Sequence, residues 1–332
     1  MKAICVTPDR KLELRIIPTP EAPPPGHVLV DIDSATITHG DKFFLTRPPP
    51  GANAFSAGGQ AVYGANGAGT VVAIGAAVPE VYRGKQVAIY KSLGSSADSI
   101  GVWCERVQLP YSTCLILPDE LRARDYCGSF ANVLTVYAFL SEICAAGHKG
   151  VIVTAGTSAT GAIAASLTRR RDVPAIFLVR SVAAREKLVQ HGVQHVLVTT
   201  DDNFERDLAH LAAELDATAM FDGVGGELLS RVAPNLPLNS SVYVYGFLGA
   251  GSPITLSTML IMGKNLTIRR FSNLESASVR DPQKLAEATK AIETLIADPL
   301  FKTRIGKAFA FEQIDEAMAF EAAPGNRAVL VV

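Results

Sequence analysis

The sequence predicts an α/β protein in which a β-rich domain, residues 1–120 completed by 275–332, flanks a doubly wound parallel-sheet domain over 121–274. Three observations predict it. Residues 150–180 read as strand, glycine turn, helix and strand; the segments after Asp119 alternate between helical and strand periodicity; and the first 118 residues are short β-branched or alternating runs cut by Pro/Gly turns.

The runs 3–6, 12–16, 27–34, 68–74 and 85–90 are the expected strands of the first part, separated by turns such as Pro23-Pro24-Pro25-Gly26, Arg83-Gly84 and Leu93-Gly94. The stretch from Arg47 to Gly64, with Pro48-Pro49-Pro50-Gly51 and Gly58-Gly59, reads as a mobile flap bordering an active site or as a plain surface excursion. Residues 125–143 carry apolar side chains at helical spacing, and that helix leads through Gly147 to the central unit. There, 151–154 is a short uncharged β-branched run, as in a strand buried on both faces. Residues 162–168 are small and apolar, fit to lie close on a sheet, and 175–179 is a second buried strand. Next come a helix over 183–191 closed by Gly192, a strand over 196–199, and a helix over 204–215 capped by Asp202 or Asn203 with Leu208, Leu211 and Leu215 on one face. A strand over 219–221, the turn Asp222-Gly223-Val224-Gly225-Gly226, a helix over 227–233 and strands over 241–245 and 266–271 follow. A helix over 281–298, a strand over 307–311, a helix over 314–320 and a strand over 328–332 return to β-type pairing, so the tail is expected to rejoin the first domain.

The turn Gly156-Thr157-Ser158-Ala159-Thr160-Gly161 follows the first strand of the central unit directly. A glycine turn between a buried strand and a helix takes a dinucleotide pyrophosphate on backbone N–H groups at the helix N-terminus. The spacing departs from Gly-x-Gly-x-x-Gly in that the middle glycine is Ser158, whose hydroxyl offers a donor to a phosphate oxygen; a plain tight turn of an α/β protein carries the same glycines. Arg180-Ser181 closes the second strand, where an NAD enzyme has an acidic residue for the ribose 2′-OH, and Arg185 and Lys187 come shortly after. An arginine pairs the 2′-phosphate that an acidic side chain would repel, so NADPH is expected over NADH. Lys187 reads as part of a solvated helix face, and Arg185 admits that reading too. The basic run 169–171 reads as answering the dipole of its own helix.

Of the 332 residues, 48% are apolar and 19% charged, with a net charge of −1. This balance supplies a substantial core and no electrostatic footprint for nucleic acid or an anionic membrane, so small molecules are the expected partners. The first ten residues carry Lys2, Asp9 and Arg10 with no apolar run, and the uncharged stretch 232–263 is broken by Gly and Pro. Neither a signal peptide nor a membrane span is expected, and the expected location is cytoplasmic. The five cysteines, Cys5, Cys104, Cys114, Cys127 and Cys144, form no Cys-x-x-Cys pair and read as small buried hydrophobes in a reducing compartment.

Taken together these stretches resemble the medium-chain dehydrogenase/reductase superfamily, in its zinc-independent NADPH:quinone oxidoreductase branch. The likeness runs over nearly the whole chain. It rests on Gly64-Ala65-Asn66-Gly67-Ala68-Gly69-Thr70-Val71-Val72-Ala73-Ile74-Gly75 with Arg83-Gly84-Lys85-Gln86-Val87, on Thr135-Val136-Tyr137, on Ala155 to Gly161, and on Phe221-Asp222-Gly223-Val224-Gly225-Gly226. The resemblance implies a GroES-like substrate domain, a Rossmann domain, a cleft between them holding NADPH, and a homodimer formed through 266–271. It implies that Gly156, Thr157, Ser158, Thr160 and Gly161 line the pyrophosphate and that Arg180, Ser181 and Arg185 take the 2′-phosphate. It places Gly223 and Val224 under the nicotinamide ribose, Tyr245, Gly246, Phe247 and Leu248 at the nicotinamide, and Asn326, beside Arg327, near the cofactor phosphate.

Zinc alcohol dehydrogenases of the superfamily carry Gly-His-Glu where this chain has Gly64-Ala65-Asn66, and their first cysteine ligand falls on Thr38. Catalytic zinc needs three protein ligands with an open fourth position. His39 alone does not supply them, so a metal-free oxidoreductase is expected. Without a Lewis acid, hydride transfer works best on acceptors that delocalise the developing negative charge: quinones, α,β-unsaturated carbonyls or enoyl thioesters. Tyr63, His39 and Thr135 are the candidates for orienting the acceptor or donating to its oxygen. Each also has an ordinary reading, in turn a packed aromatic, a hydrogen-bonded histidine and a helix threonine bonding its own backbone. The expected function is transfer of hydride from NADPH to a quinone or conjugated carbonyl. Two alternatives stand beside it. The 2-enoyl thioester reductases of the superfamily place a tyrosine acid roughly nine residues after the aspartate matching Asp41, and 42–50 contains no tyrosine. A non-catalytic NADPH-binding sensor or interaction protein is the other, with Ser158 and the lack of a dedicated acid leaving room for it.

Overall fold

The structure, a computed structural model, describes residues 1–47, 61–94, 100–249, 252–323 and 325–332. In chain order the first elements are β1 (Lys2–Val6), β2 (Leu12–Ile16), β3 (His27–Ile37), α1 (His39–Thr46), β4 (Asn66–Ile74), β5 (Gln86–Tyr90), β6 (Arg106–Pro110) and β7 (Cys114–Ile116). Then come α2 (Ser129–Ala145), β8 (Val151–Val153), α3 (Ala159–Arg170), β9 (Ala175–Val179), α4 (Val182–Gln190), β10 (His195–Val198), α5 (Phe204–Glu214) and β11 (Ala219–Asp222). The remainder is α6 (Gly226–Val232), β12 (Ser241–Val244), α7 (Thr258–Lys264), β13 (Thr267–Arg270), α8 (Ala277–Arg280), α9 (Pro282–Glu293), β14 (Ile305–Phe309), α10 (Ile314–Ala319) and β15 (Arg327–Val331).

These elements form two compact units, Met1–Val133 with Thr289–Val332, and Leu134–Ala288. The divisions fall later than the expected 120/121 and 274/275, and at the first of them side chains tie the segment after 120 to the returning tail. Thr303 Oγ1 accepts from the Gly128 amide at 2.8 Å and the Ser129 hydroxyl donates to the Phe301 carbonyl, which holds the first turn of α2 to the returning tail. Within the second unit Asn273 donates to the Thr135 hydroxyl at 2.9 Å.

In the first unit the sheet runs β14-β15-β3-β4-β5-β7, with β6 also on β3. The tail enters it through β15, antiparallel to β3 with Ala328 opposite Ile37. The core beneath includes Ile4, Val30, Ile32, Tyr63, Ile89, Trp103, Phe309 and Leu330. Two strands absent from the sequence reading are β6 and β7. In β6 only Val107 and Leu109 point inward, between Arg106 and Gln108, so its apolar signal is two residues long; β7 has three residues in all. Helix α1 was likewise not expected: Phe43, Phe44 and Leu45 give it a mixed pattern, and a capping box at Thr38 rather than periodicity sets its start. The flap expected between Arg47 and Gly64 lies outside the described residues over 48–60.

The second unit carries a sheet of order β10-β9-β8-β11-β12-β13. Every pairing in it is parallel. Helix α3 lies close on this sheet because residues 160–168 are small or apolar, and all of them are buried. Helix α5 buries Phe204, Leu208 and Ala212, one face at four-residue spacing. Its expected cap is corrected: Asn203 stands at the N-cap position but makes no side-chain cap bond, and the Phe204 amide goes to the Asp201 carbonyl instead. The uncharged stretch 232–263 contains an unanticipated helix, α7, capped by Ser257 Oγ accepting from the Leu260 amide. The expected helix over 281–298 stops at Glu293. The helix expected over 125–143 begins at Ser129, after a 3-10 turn over Ala123–Tyr126. Together Ala123–Ala145 is long and apolar enough to cross a membrane, and over half of it is buried inside the fold. Four of the cysteines are buried as expected, whereas Cys144 is exposed.

Candidate functional site

The sheet order reverses between β8 and β11: from β8 the strands run outward through β9 to β10, and from β11 through β12 to β13. Ligands of open α/β sheets bind outside the carboxyl ends of strands at such a switch point. Here those ends carry Thr154 to Ser158 and Asp222 to Gly225. Ser158 is the N-cap of α3 and its Oγ accepts from the Gly161 amide at 3.0 Å. One lone pair of the serine thus holds the helix, which leaves its proton for a ligand. Gly161 is required by close approach, since a Cβ there would stand 2.4 Å from the Gly156 carbonyl oxygen and 2.6 Å from that of Ala155. The left-handed residue of the turn is Ala155, at φ 50°. The Gly156 amide donates to Leu178 O and ties the turn to β9. Among the described residues the Ala159 amide has no partner, so a bare N–H stands at the positive end of a twelve-residue helix. A diphosphate fits that cradle.

At the end of β9, Ser181 caps α4, accepting from the Ala184 amide at 3.3 Å. Arg180 is exposed and Arg185 half-buried, and among the described residues neither guanidinium has a hydrogen-bond or ion-pair partner. In the basic run, Arg169 and Arg170 stand in the last turn of α3, where cations answer its dipole. Arg169 also donates to the His191 carbonyl beyond α4 at 2.7 Å, and Arg171 lies over the Tyr137 ring at 4.1 Å.

The third group is the turn after β11. Asp222 is fully buried, and its carboxylate accepts from the Thr154 hydroxyl at 2.7 Å and from the amides of Val224 and Gly225 at 3.0 and 2.9 Å. Tyr245 stacks on Phe221 with ring centroids 3.9 Å apart, and its ring lies so close over Gly223 that a Cβ there would meet the phenol oxygen at 2.6 Å. Phe221 stacks in turn on Phe139, at 4.1 Å. Gly246 and Phe247 follow half-buried and Leu248 exposed. The structure thus brings Gly156 to Gly161, Arg180, Ser181, Gly223, Val224 and Tyr245 to the carboxyl edge of one sheet.

The remaining candidates divide between the units. Thr135, on α2 of the second unit, is half-buried, and its hydroxyl accepts from the Asn273 side chain at 2.9 Å. In the first unit, His39 is exposed at the first residue of α1, and Asn326 precedes β15. Tyr63 is corrected as a donor to an acceptor molecule. It has no exposed surface, its hydroxyl donates to the Asp41 carbonyl at 2.8 Å, and its ring meets Trp103 edge-on at 5.0 Å. Burial also pushes its phenol pKa far up. Here it anchors α1.

Sequence reasoning missed Thr154, Asp222 and the capping role of Asp41. An aspartate directly after an apolar strand and before Gly-x-Gly is a signal for a buried side-chain-to-backbone turn. Asp41 is buried, and its Oδ2 accepts from both the Thr38 amide at 2.7 Å and the Thr38 hydroxyl at 2.6 Å. Burial raises its carboxyl from 3.8 to about 6, against the Thr38 hydrogen bonds and the charge of Arg327, which lower it. The folded chain therefore holds this proton more tightly than the unfolded chain. The stability linked to it is fully present below pH 3.8 and is lost as the pH rises through about 6. Asp41→Asn keeps an acceptor for both Thr38 donors and removes the titration. Between about pH 4 and 7 the wild type should lose about 2–3 kcal/mol relative to that variant, read from urea unfolding curves; parallel curves at every pH would refute the assignment.

The family model of the alcohol dehydrogenase GroES-like domain matches residues 24–143. The solved quinone oxidoreductase of Escherichia coli in complex with NADPH superposes with a TM-score of 0.75 over 100% of both chains, at 18% identity. The two chains share one fold, a GroES-like β-rich unit joined to a unit built on a parallel sheet. A solved 2-haloacrylate reductase shares this fold, with a TM-score of 0.76, 15% identity, and coverage of 100% of this chain and 99% of that one. In sequence, the chain is similar to the "Probable quinone oxidoreductase" of Leishmania amazonensis, 25% identical over 273 residues, 76% of this chain and 73% of that protein. It is similar also to the synaptic vesicle membrane protein VAT-1 homolog of Rattus norvegicus, 23% identical over 243 residues and 71% of this chain; the match spans only 56% of that relative's length.

Proposed function

We propose that this chain is an NADPH-dependent oxidoreductase that reduces a quinone or another conjugated carbonyl without a metal. The observation that carries the reading is the open N-terminus of α3 at the switch point with two unpartnered arginines beside it, a charge pattern matched to a diphosphate and a 2′-phosphate. Gly156, Thr157, Ser158, Thr160 and Gly161 hold the diphosphate, and Arg180, Ser181 and Arg185 the 2′-phosphate. Gly223, Val224 and the Tyr245 to Leu248 segment hold the nicotinamide end. When bound, the cofactor supplies the hydride. His39 and Thr135 are the side chains proposed to orient the acceptor, and the developing oxyanion is delocalised over a conjugated system or protonated by water. That the proteins sharing its fold include reductases of quinones and of 2-haloacrylate supports the acceptor class.

Metal independence rests on the donor set: Thr38 is committed to Asp41, and Ala65 and Asn66 stand where zinc enzymes have a histidine and a glutamate. The test is the initial rate of NADPH oxidation with a simple quinone, a 2-alkenal and crotonyl-CoA, with NADH in parallel and with and without chelator. Turnover of quinone or alkenal, NADPH preferred and rates unchanged by chelator, is the expected result. Turnover of the thioester alone would replace the reading with an enoyl thioester reductase, and NADPH binding without turnover would favour a non-catalytic module.

A homodimer through the sheet edge is proposed as well. All four residues of β13 are exposed at that edge, and Met259 and Met262 of α7 are 77% and 72% exposed beside it. Sedimentation should give twice the chain mass; a monomer at micromolar concentration would exclude it.

A further inference from the structure

Two segments at the carboxyl edge of the second unit's sheet are one bonded body. The Tyr245 amide donates to the Asp222 carbonyl at 2.9 Å, Leu248 to Gly223 at 3.0 Å and Gly249 to Val224 at 2.9 Å. That body hangs on two side chains with no exposed surface, Thr154 and Asp222. The Thr154 hydroxyl accepts from the Gly223 amide at 2.8 Å and donates to Asp222 Oδ1 at 2.7 Å. Asp222 then takes the next two amides, Val224 on Oδ1 and Gly225 on Oδ2. Three consecutive backbone N–H groups are thereby turned inward onto the pair, and no cation among the described residues pairs with the carboxylate. The Thr154 to Asp222 bond also spans the switch point, because Thr154 follows β8 and lies two residues before Gly156.

We infer that Thr154 and Asp222 are positioning residues that set the height and orientation of the nicotinamide platform, Gly223 to Gly225 with Tyr245 to Gly249, relative to the diphosphate turn. The inference rests on the NADPH-dependent reading above. Neither side chain touches the ligand; the pair fixes backbone that does. A rigid platform of this kind controls how closely the reacting carbon meets its acceptor, and a displacement of about 1 Å costs on the order of a hundredfold in rate. Affinity, by contrast, is carried mostly by the phosphate contacts at α3 and Arg180.

The test compares Thr154→Val, Asp222→Asn and Thr154→Ser with the wild type. It uses fluorescence of bound NADPH, whose nicotinamide emission and anisotropy report immobilisation, alongside turnover per NADPH-binding site. Val removes the acceptor for the Gly223 amide, Asn sets an N–H against a backbone N–H, and Ser keeps the whole network. Val and Asn should retain NADPH affinity within about threefold, lose at least about half of the emission enhancement, and turn over about tenfold or more slowly per site, with Ser within about twofold of wild type. If Val and Asn merely lower the melting temperature and the number of binding sites, with per-site emission and turnover unchanged, the pair is only structural and the inference falls. Should Val not fold, Asn carries the same comparison. Wild type that binds NADPH with enhanced emission yet reduces no acceptor would sink the reductase reading and leave this one standing on the fluorescence. Failure to bind NADPH would sink both.

Discussion

Arg180→Ala should weaken NADPH binding by about tenfold or more, about 1.5 kcal/mol, and leave NADH binding within about twofold of wild type. Arg180 follows β9 at the position proposed to decide between a 2′-hydroxyl and a 2′-phosphate, and it is exposed with no hydrogen-bond or ion-pair partner among the described residues. Because its guanidinium has no hydrogen-bond or ion-pair partner among the described residues, its removal should not shift the melting temperature, and the change in affinity reads the ligand contact. The magnitude is held at the lower end for a charge-assisted pair because water screens an exposed guanidinium. Arg185, one turn into α4, is placed to share the same phosphate, so the double variant should lose more than the single. Titration of both cofactors against both variants checks this. Equal losses for NADPH and NADH would remove Arg180 from the 2′-phosphate site.

Gly161→Ala should destabilise the second unit by about 3 kcal/mol and abolish tight NADPH binding. The added Cβ would stand 2.4 Å and 2.6 Å from two carbonyl oxygens of the turn, closer than carbon and oxygen can approach, and both are backbone atoms that no side-chain rotation can move aside. The turn must therefore open. Opening it breaks the Ser158 cap and displaces the amides proposed to face the phosphates. Gly263→Ala is the control: it lies within α7, meets nothing within 4 Å, and replaces a poor helix former by the best one, so it should be neutral or stabilise by up to about 1 kcal/mol. Urea unfolding of the two variants gives the comparison. A Gly161→Ala protein as stable as wild type would show that the turn is not packed as described.

Strands buried on both faces were legible because they read as unbroken apolar runs: β8, β9, β11 and β12 appear in the sequence within a residue of their observed bounds. The first unit was less legible where strands are half-covered, as in β6, and where a cap rather than a periodicity starts the helix, as in α1. Among the candidate site residues, the glycines and Ser158 could be read because backbone approach restricts residue type locally, and Arg180 because its place at a strand end is fixed by the chain.

Other features are decided by contacts between distant parts of the chain, which no local pattern encodes. Tyr63 stands next to a glycine turn in sequence, yet it is the carbonyl of Asp41, twenty-two residues away, that takes its hydroxyl into the core. Thr154 and Asp222 meet across 68 positions because β8 and β11 become neighbours only when the sheet is wound in both directions. What the sequence determined by itself is the order of strands and helices from β8 to β12, the glycine turn after β8 and the charge beside it, all of which depend on short-range sterics and on burial of contiguous apolar residues. The tertiary structure alone decided which buried polar groups find each other, because an unpaired donor or carboxylate in the interior costs more than any local preference can offset, and its partner is chosen by the packing of the whole unit.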